Sequence, residues 1–168
     1  SLLAYLLLHR HAPQARQHLA FLFWPDSSET QAKTNLRREL YHLRRLLPDA
    51  GHLVVDGLSV RWRSEAQFTL DVADFERHLA EAGQLKRANR QTEMVTVLEQ
   101  ALDLYRGPLL PSCYDDWILP VREQLDQQYV VALEELVVLL EEQRDYAAAI
   151  DQAERLLHHD PLHETSYR

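Results

Sequence analysis

The chain has 168 residues and a formal net charge of −8, with 46% apolar residues, 26% charged residues and only four glycines. That composition excludes a disordered polyelectrolyte, and the length suits one large or two small globular domains. A single cysteine excludes an intrachain disulfide, and an apolar opening run of about eight residues is too short to cross a bilayer and lacks the features of a signal peptide. A cytoplasmic address without a membrane partner is expected.

Charge divides the chain. Residues 1–66 carry nine Lys/Arg against six Asp/Glu, whereas residues 67–168 carry nine against twenty. Two domains are therefore expected, at 1–66 and 67–168. The net acidity does not exclude a polyanion partner, because attraction depends on the charge of one surface.

LLAYLLLHR (2–10) is apolar nearly all round and reads as a first helix. QARQHLAFLFW (14–24), entered beside Pro13, reads as a second, and Pro25, Asp26 and Ser27 end it. SSETQAKTNLRRELYHLRRLL (27–47) reads as a third helix with two chemically opposed faces. At about 100° per residue, Ala32, Leu36, Leu40, Leu43 and Leu47 fall in one sector, with Leu46 at its edge. Gln31, Thr34, Arg38, Tyr41, His42 and Arg45 occupy the opposite sector, and Lys33, Arg37 and Arg44 one flank. Ser27 or Ser28 can cap the start, and Pro48 stops the helix.

Two short helices followed by a basic one form the order of a helix-turn-helix reader of DNA. LVVDGLSVRW (53–62) places an Asp-Gly turn between two β-prone runs, so a hairpin with basic tips, a wing, is expected next, with Arg61 and Arg63 as its cations. The blander account is a solvated helix and a small packing hairpin. Context favours the reader. Gln31, Thr34, Arg38, Tyr41, His42 and Arg45 are the candidates for base edges, because Arg can bond guanine bidentately. Lys33, Arg37, Arg44, Arg61 and Arg63 are the candidates for phosphate. Arg38 is expected to carry sequence preference and Arg44 a sequence-blind attraction.

In the acidic half, LDVADFERHLAEAG (70–83) reads as a strand end and a helix capped by Asp71, with Val72, Phe75 and Leu79 on one face. TEMVTVLEQALDLY (92–105) follows as a second helix. GPLLPSCYDD (107–116) is a loop delivering Trp117 to a long helix through Val121, Leu125, Tyr129, Leu133, Leu136 and Leu140. DYAAAIDQAERLLHHDP (145–161) pairs with that helix as a helical hairpin of about 34 residues, with Tyr146 and Ala149 at tetratricopeptide-like positions. LHETSYR (162–168) reads as the first turns of another helix.

Asp115-Asp116 and Glu134-Glu135 are adjacent carboxylates of the kind that cap and solvate helices, and His158-His159 sit where a helix dipole favours a cation. There is no Gly-rich phosphate loop, serine elbow or HExxH, so neither catalysis, cofactor nor metal is expected.

The order LAFLFWPD, NLRRELYHLRRLL, the wing, LDVADFERHL, ALDLYRGPLLP, YDDWILPVREQL and YAAAIDQAERLLHHDPLHETSYR resembles the bacterial transcriptional activators of the antibiotic-regulatory (SARP) type, over essentially the whole chain. That family couples an OmpR-type winged helix to a helical bacterial transcriptional activator domain. The resemblance implies a mainly α protein: a winged helix-turn-helix lacking its N-terminal sheet, then an all-α tetratricopeptide-like domain truncated at its C-terminus. It implies a sequence-specific activator whose basic helix enters the major groove of double-stranded promoter DNA. It also implies a homodimer or side-by-side pair on direct repeats, and engagement of RNA polymerase. The alternative is a protein-interaction scaffold whose winged helix no longer reads DNA.

Overall fold

A computed structural model describes residues 1–63 and 69–159, and the chain divides into two compact units. One contains Ser1–Phe68 and Ser112–Trp117, and the other Thr69–Pro111 and Ile118–Arg168.

The first unit is built from α1 (Leu2–Leu8), β1 (Gln14–Ala15), α2 (Arg16–Phe23), α3 (Glu29–Leu46), β2 (Leu53–Val55) and β3 (Ser59–Trp62). The apolar stripe of α3 is buried at Ala32, Leu36, Leu40 and Leu43, and the buried Leu2, Leu6 and Leu19 of α1 and α2 complete the helical part of the core. Ser28 caps α3 by accepting the Gln31 N–H at 3.3 Å. The helix stops one residue earlier than the periodicity predicts: Leu47 is the C-cap, with extended backbone (φ −71°, ψ 137°), as expected for the residue before a proline.

The sheet has one strand more than the expected hairpin. β2 and β3 pair antiparallel in the register Val55↔Val60, and β1 pairs with the other edge of β3 through Gln14↔Val60. Gln14 and Ala15, expected in the second helix, are strand residues, and that helix begins at Arg16. The cause is long-range: pairing of Gln14 and Ala15 on β3, continued by an Arg16 N–H bond of 2.9 Å to the Leu58 carbonyl, holds this backbone extended until α2 begins. Val60 and Trp62 of β3 are buried, so the alternation of that strand puts Arg61 on the solvent side.

Residues 112–117 belong to this unit, although the chain reaches them only after two further helices. Trp117, 9% exposed, meets Tyr5 of α1 edge-to-face at 5.3 Å and lies 6.1 Å from Phe23 of α2. Asp115 accepts the Trp117 indole N–H at 3.2 Å, which orients the ring. The sequence places Trp117 only at the entry to the long helix; its packing partners lie about a hundred residues upstream.

The second unit is all-helical over its described residues. It contains α4 (Asp71–Arg87), α5 (Gln91–Leu104), α6 (Leu119–Glu142) and α7 (Tyr146–His159). Leu70 keeps an extended backbone (φ −126°, ψ 109°) but pairs with no strand among the described residues, so the expected strand end is simply the N-cap of α4. Asp71, the expected cap, lies inside the first turn and accepts the Val72 N–H at 2.8 Å. Val72 and Phe75 are buried as the periodicity predicts, and Leu79 is half-buried.

Both pairs, α4/α5 and α6/α7, are helical hairpins with the same three-residue turn. In the first, Asn89 has φ 55°, its N–H bonds the Lys86 carbonyl at 3.1 Å, and the Arg90 N–H bonds the Leu85 carbonyl at 3.0 Å. In the second, Arg144 has φ 62°, its N–H bonds the Glu141 carbonyl at 2.9 Å, and the Asp145 N–H bonds the Leu140 carbonyl at 2.9 Å. A left-handed residue that lets two successive N–H groups turn back onto the helix's last carbonyls is a Schellman-type stop. Only the second hairpin shows repeat character in the sequence, yet the first closes identically. The further helix expected over 162–168 lies outside the described residues.

Candidate nucleic-acid interface

α3 presents one continuous polar face. Gln31, Lys33, Thr34, Arg37, Arg38, Tyr41, His42, Arg44 and Arg45 are all exposed on it, opposite the buried stripe. Some of these side chains are tied to their own helix: Gln31 donates to Asn35 Oδ1 at 2.9 Å, Thr34 Oγ1 to the Thr30 carbonyl at 2.9 Å, and Lys33 pairs with Glu29. Tyr41 is 58% exposed, and the Arg45 guanidinium lies over its ring at 5.8 Å. His42 stands 5.8 Å from the same ring. Arg37 and Arg38 make no hydrogen bond or ion pair through their side chains among the described residues, so Arg38 projects from the centre of the face and Arg37 from its flank without a partner there.

Arg44 is placed differently from its expected role. Its Nη2 donates to the Leu53 carbonyl at 3.2 Å, so it ties the last turn of α3 to the first residue of β2. The position remains exposed, but part of the guanidinium is committed to the backbone.

The hairpin tip also departs from the basic tip expected of a wing. The turn is Asp56-Gly57-Leu58, where the Asp56 carboxylate accepts the Leu58 N–H at 2.7 Å, the Ser59 N–H at 2.6 Å and the Ser59 hydroxyl at 2.8 Å. The Ser59 and Leu58 N–H groups, followed by the Ser59 hydroxyl, hold this carboxyl below its usual range, and the charge of Arg16 acts in the same direction. Leu58 is 84% exposed at the tip. Arg61 lies on β3 and Arg63 just beyond its end, both exposed and both away from the turn. An Asp-Gly turn is legible in a sequence, but which end of a hairpin its cations occupy depends on register.

The cation nearest the tip is Arg16, which pattern reading misses. Its Nη1 donates to the Asp56 carbonyl at 2.9 Å. No local signal marks it, because it lies forty residues from its partner.

The sites discounted in the acidic half have structural duties. Asp115 holds Trp117 and accepts a contact of 3.5 Å from Cys113 Sγ, Glu135 pairs with Lys86, and His158 Nδ1 lies 2.8 Å from the Glu154 carbonyl. His159 Nε2 is 2.7 Å from Asp126 Oδ1, which also accepts the Tyr105 hydroxyl at 3.0 Å. Burial, reinforced by that hydrogen bond to Asp126, pushes the Tyr105 phenol well above its usual range. Among the described residues, no group of three His, Cys, Asp or Glu side chains is placed to hold a metal ion, and no helix is long and apolar enough to cross a membrane.

No curated protein matches the chain. Residues 70–168, more than half of its length, match the family described as bacterial transcriptional activator domain. The helical second unit thus lies almost wholly within the matched region, and the chain belongs to the bacterial transcriptional activator domain family, whose members are transcriptional regulators rather than enzymes.

Proposed function

We propose that this chain is a sequence-specific, DNA-binding transcriptional activator of the SARP type, in which the first unit is an OmpR-like winged helix-turn-helix. The observation that carries the reading is the face of α3: a buried apolar stripe fixes the helix, and Arg37 and Arg38 project from the opposite side without partners among the described residues. The order helix, strand, helix, basic helix, hairpin, with the first strand added to the hairpin's edge, supports a winged helix. Family membership supports the output as transcription, with promoter DNA and RNA polymerase as partners in the cytoplasm.

In this reading α3 lies in the major groove. Arg38 and Arg45 reach guanine O6/N7, while Gln31, Thr34, Tyr41 and His42 complete the base-facing row. Lys33, Arg37, Arg61 and Arg63 meet phosphate, and Arg44 does so with the donors that Leu53 does not occupy. Binding as a homodimer or side-by-side pair on direct repeats fits the family resemblance.

Selection of bound duplexes from a random pool, followed by anisotropy on the selected site, tests this. Arg38→Ala is expected to cost about 1–3 kcal/mol of discrimination at one base position, whereas Arg61→Ala weakens all sequences alike. If the wild-type chain binds no random duplex even at low salt, where phosphate contacts are strongest, the DNA reading fails and a protein-interaction scaffold takes its place.

A further inference from the structure

Between the hairpin tip, the start of α2 and the first half of α3 lies an open cleft of about 570 Å³, lined by Arg16, Lys33, Arg37, Gly57 and Leu58 among others. We propose that this cleft seats a phosphodiester of duplex DNA, held chiefly by Arg16 and Arg37. The proposal rests on the DNA reading above and assigns Arg16 a contact that the face of α3 alone does not suggest.

The argument is geometric. In a B-form duplex, a major groove and its neighbouring minor groove are separated by one sugar-phosphate backbone. A protein that places a helix in the first and a hairpin tip toward the second must straddle that backbone, so the space between the two elements has to accept it. In this chain that space is the cleft. Its floor includes Leu36, whose side chain is buried in the core, and its cations come from both walls, Arg16 from α2 and Lys33 and Arg37 from α3.

The three cations are not equivalent. Lys33 is paired with Glu29 one turn earlier, which offsets its charge. Arg37 makes no side-chain hydrogen bond or ion pair among the described residues. Arg16 donates from Nη1 to the Asp56 carbonyl, and a guanidinium has further donors on its fork. That bond also fixes where the Arg16 charge sits. The Asp56 carboxylate, the negative group closest in sequence to the tip, is occupied by Leu58 and Ser59, so it accepts three hydrogen bonds within its own turn. The tip therefore offers an incoming backbone the exposed Leu58 side chain flanked by an arginine, while the Asp56 carboxylate stays ionised but engaged within its own turn.

The test is the salt dependence of binding by the 168-residue chain to a random-sequence duplex, where each lost phosphate contact lowers the slope by about one. Arg16→Gln and Arg37→Gln are each expected to lower it by that amount, and Arg16→Lys to restore the wild-type slope, because a charge near the cleft suffices for a phosphate. An unchanged slope in both Gln variants overturns the proposal. So does an Arg16→Lys slope as low as that of Arg16→Gln, since the arginine would then act only by holding the turn. Inorganic phosphate at matched ionic strength should leave DNA binding unaffected; competition that Arg16→Gln abolishes would assign the cleft to a free anion instead. Failure of this proposal leaves the Arg38→Ala change in base preference intact, whereas failure of the DNA reading removes both.

Discussion

The two units differ in how much of their positive charge is ion-paired. In the second unit, Arg77, Lys86, Arg90 and Arg155 are each ion-paired with a carboxylate, at Asp74, Glu135, Glu93 and Asp103. In the first, Lys33 is the only Lys or Arg ion-paired with a carboxylate among the described residues. The difference is one of degree and follows from composition, because the acidic half offers its cations more carboxylates than the basic half does, and even there Arg87, Arg106 and Arg144 are in no ion pair among the described residues. It also separates two uses of a cation. Lys86 and Arg155 fasten one helix to another and Arg77 and Arg90 pair within a single helix or its cap, whereas an unpaired guanidinium on a fixed helix is available to an external anion.

The largest test of that separation concerns Trp117, which enters the first unit from between the two helical hairpins. Trp117→Ala removes a nearly buried indole packed on Tyr5 and Phe23, at an expected cost of about 3–5 kcal/mol. Hydrogen exchange should show protection lost first in α1 and α2. If α6 and α7 lose protection instead, the assignment of residues 112–117 to the first unit is wrong.

Next in size is Arg155 of α7. Its Nε donates to the Tyr129 hydroxyl at 2.8 Å, its Nη2 to the Leu102 carbonyl at 2.7 Å, and the guanidinium lies 5.5 Å from the Tyr129 ring centre. It is a positioning residue joining α5, α6 and α7. Arg155→Met keeps much of the stem's packing and removes the donors, so a loss of about 1.5–3 kcal/mol is expected in denaturant unfolding. A loss below that range would mean that the bonds to Tyr129 and Leu102 contribute little, and the contrast between the units would weaken accordingly.

What could be read from the residues alone follows the same division between local and distant causes. α3 was legible because its periodicity, its serine cap and Pro48 all act within a few residues. The hairpin was legible from Asp56-Gly57. β1 was not, because two residues become a strand only when β3 lies alongside, and Gln14 taken alone continues a helical pattern. The matching turns at Asn89 and Arg144 were hidden for another reason: the shared feature is a backbone conformation, and its two occupants differ in chemistry. For the candidate interface, exposure of the α3 face follows from burial of the opposite stripe. The bonds from Arg44 to Leu53 and from Arg16 to Asp56 do not, since each depends on which carbonyl the fold brings near.

The smallest expected effect is the most telling for the comparison. Arg38 lies on an exposed helix face and its side chain bonds nothing among the described residues, so Arg38→Ala should alter folding stability by no more than about 0.5 kcal/mol. Alanine's helix propensity is slightly higher than arginine's, and Arg38 lies too far from either end of α3 for the helix dipole to matter, which also keeps the net change small. An unfolding midpoint within error of wild type, together with a changed base preference, would show a residue whose contribution lies outside the fold. Were Arg38→Ala instead as destabilising as Arg155→Met, Arg38 would belong with the paired cations of the second unit. The face of α3 would then owe its arginines to packing, and the strongest support for a DNA-reading helix would be gone.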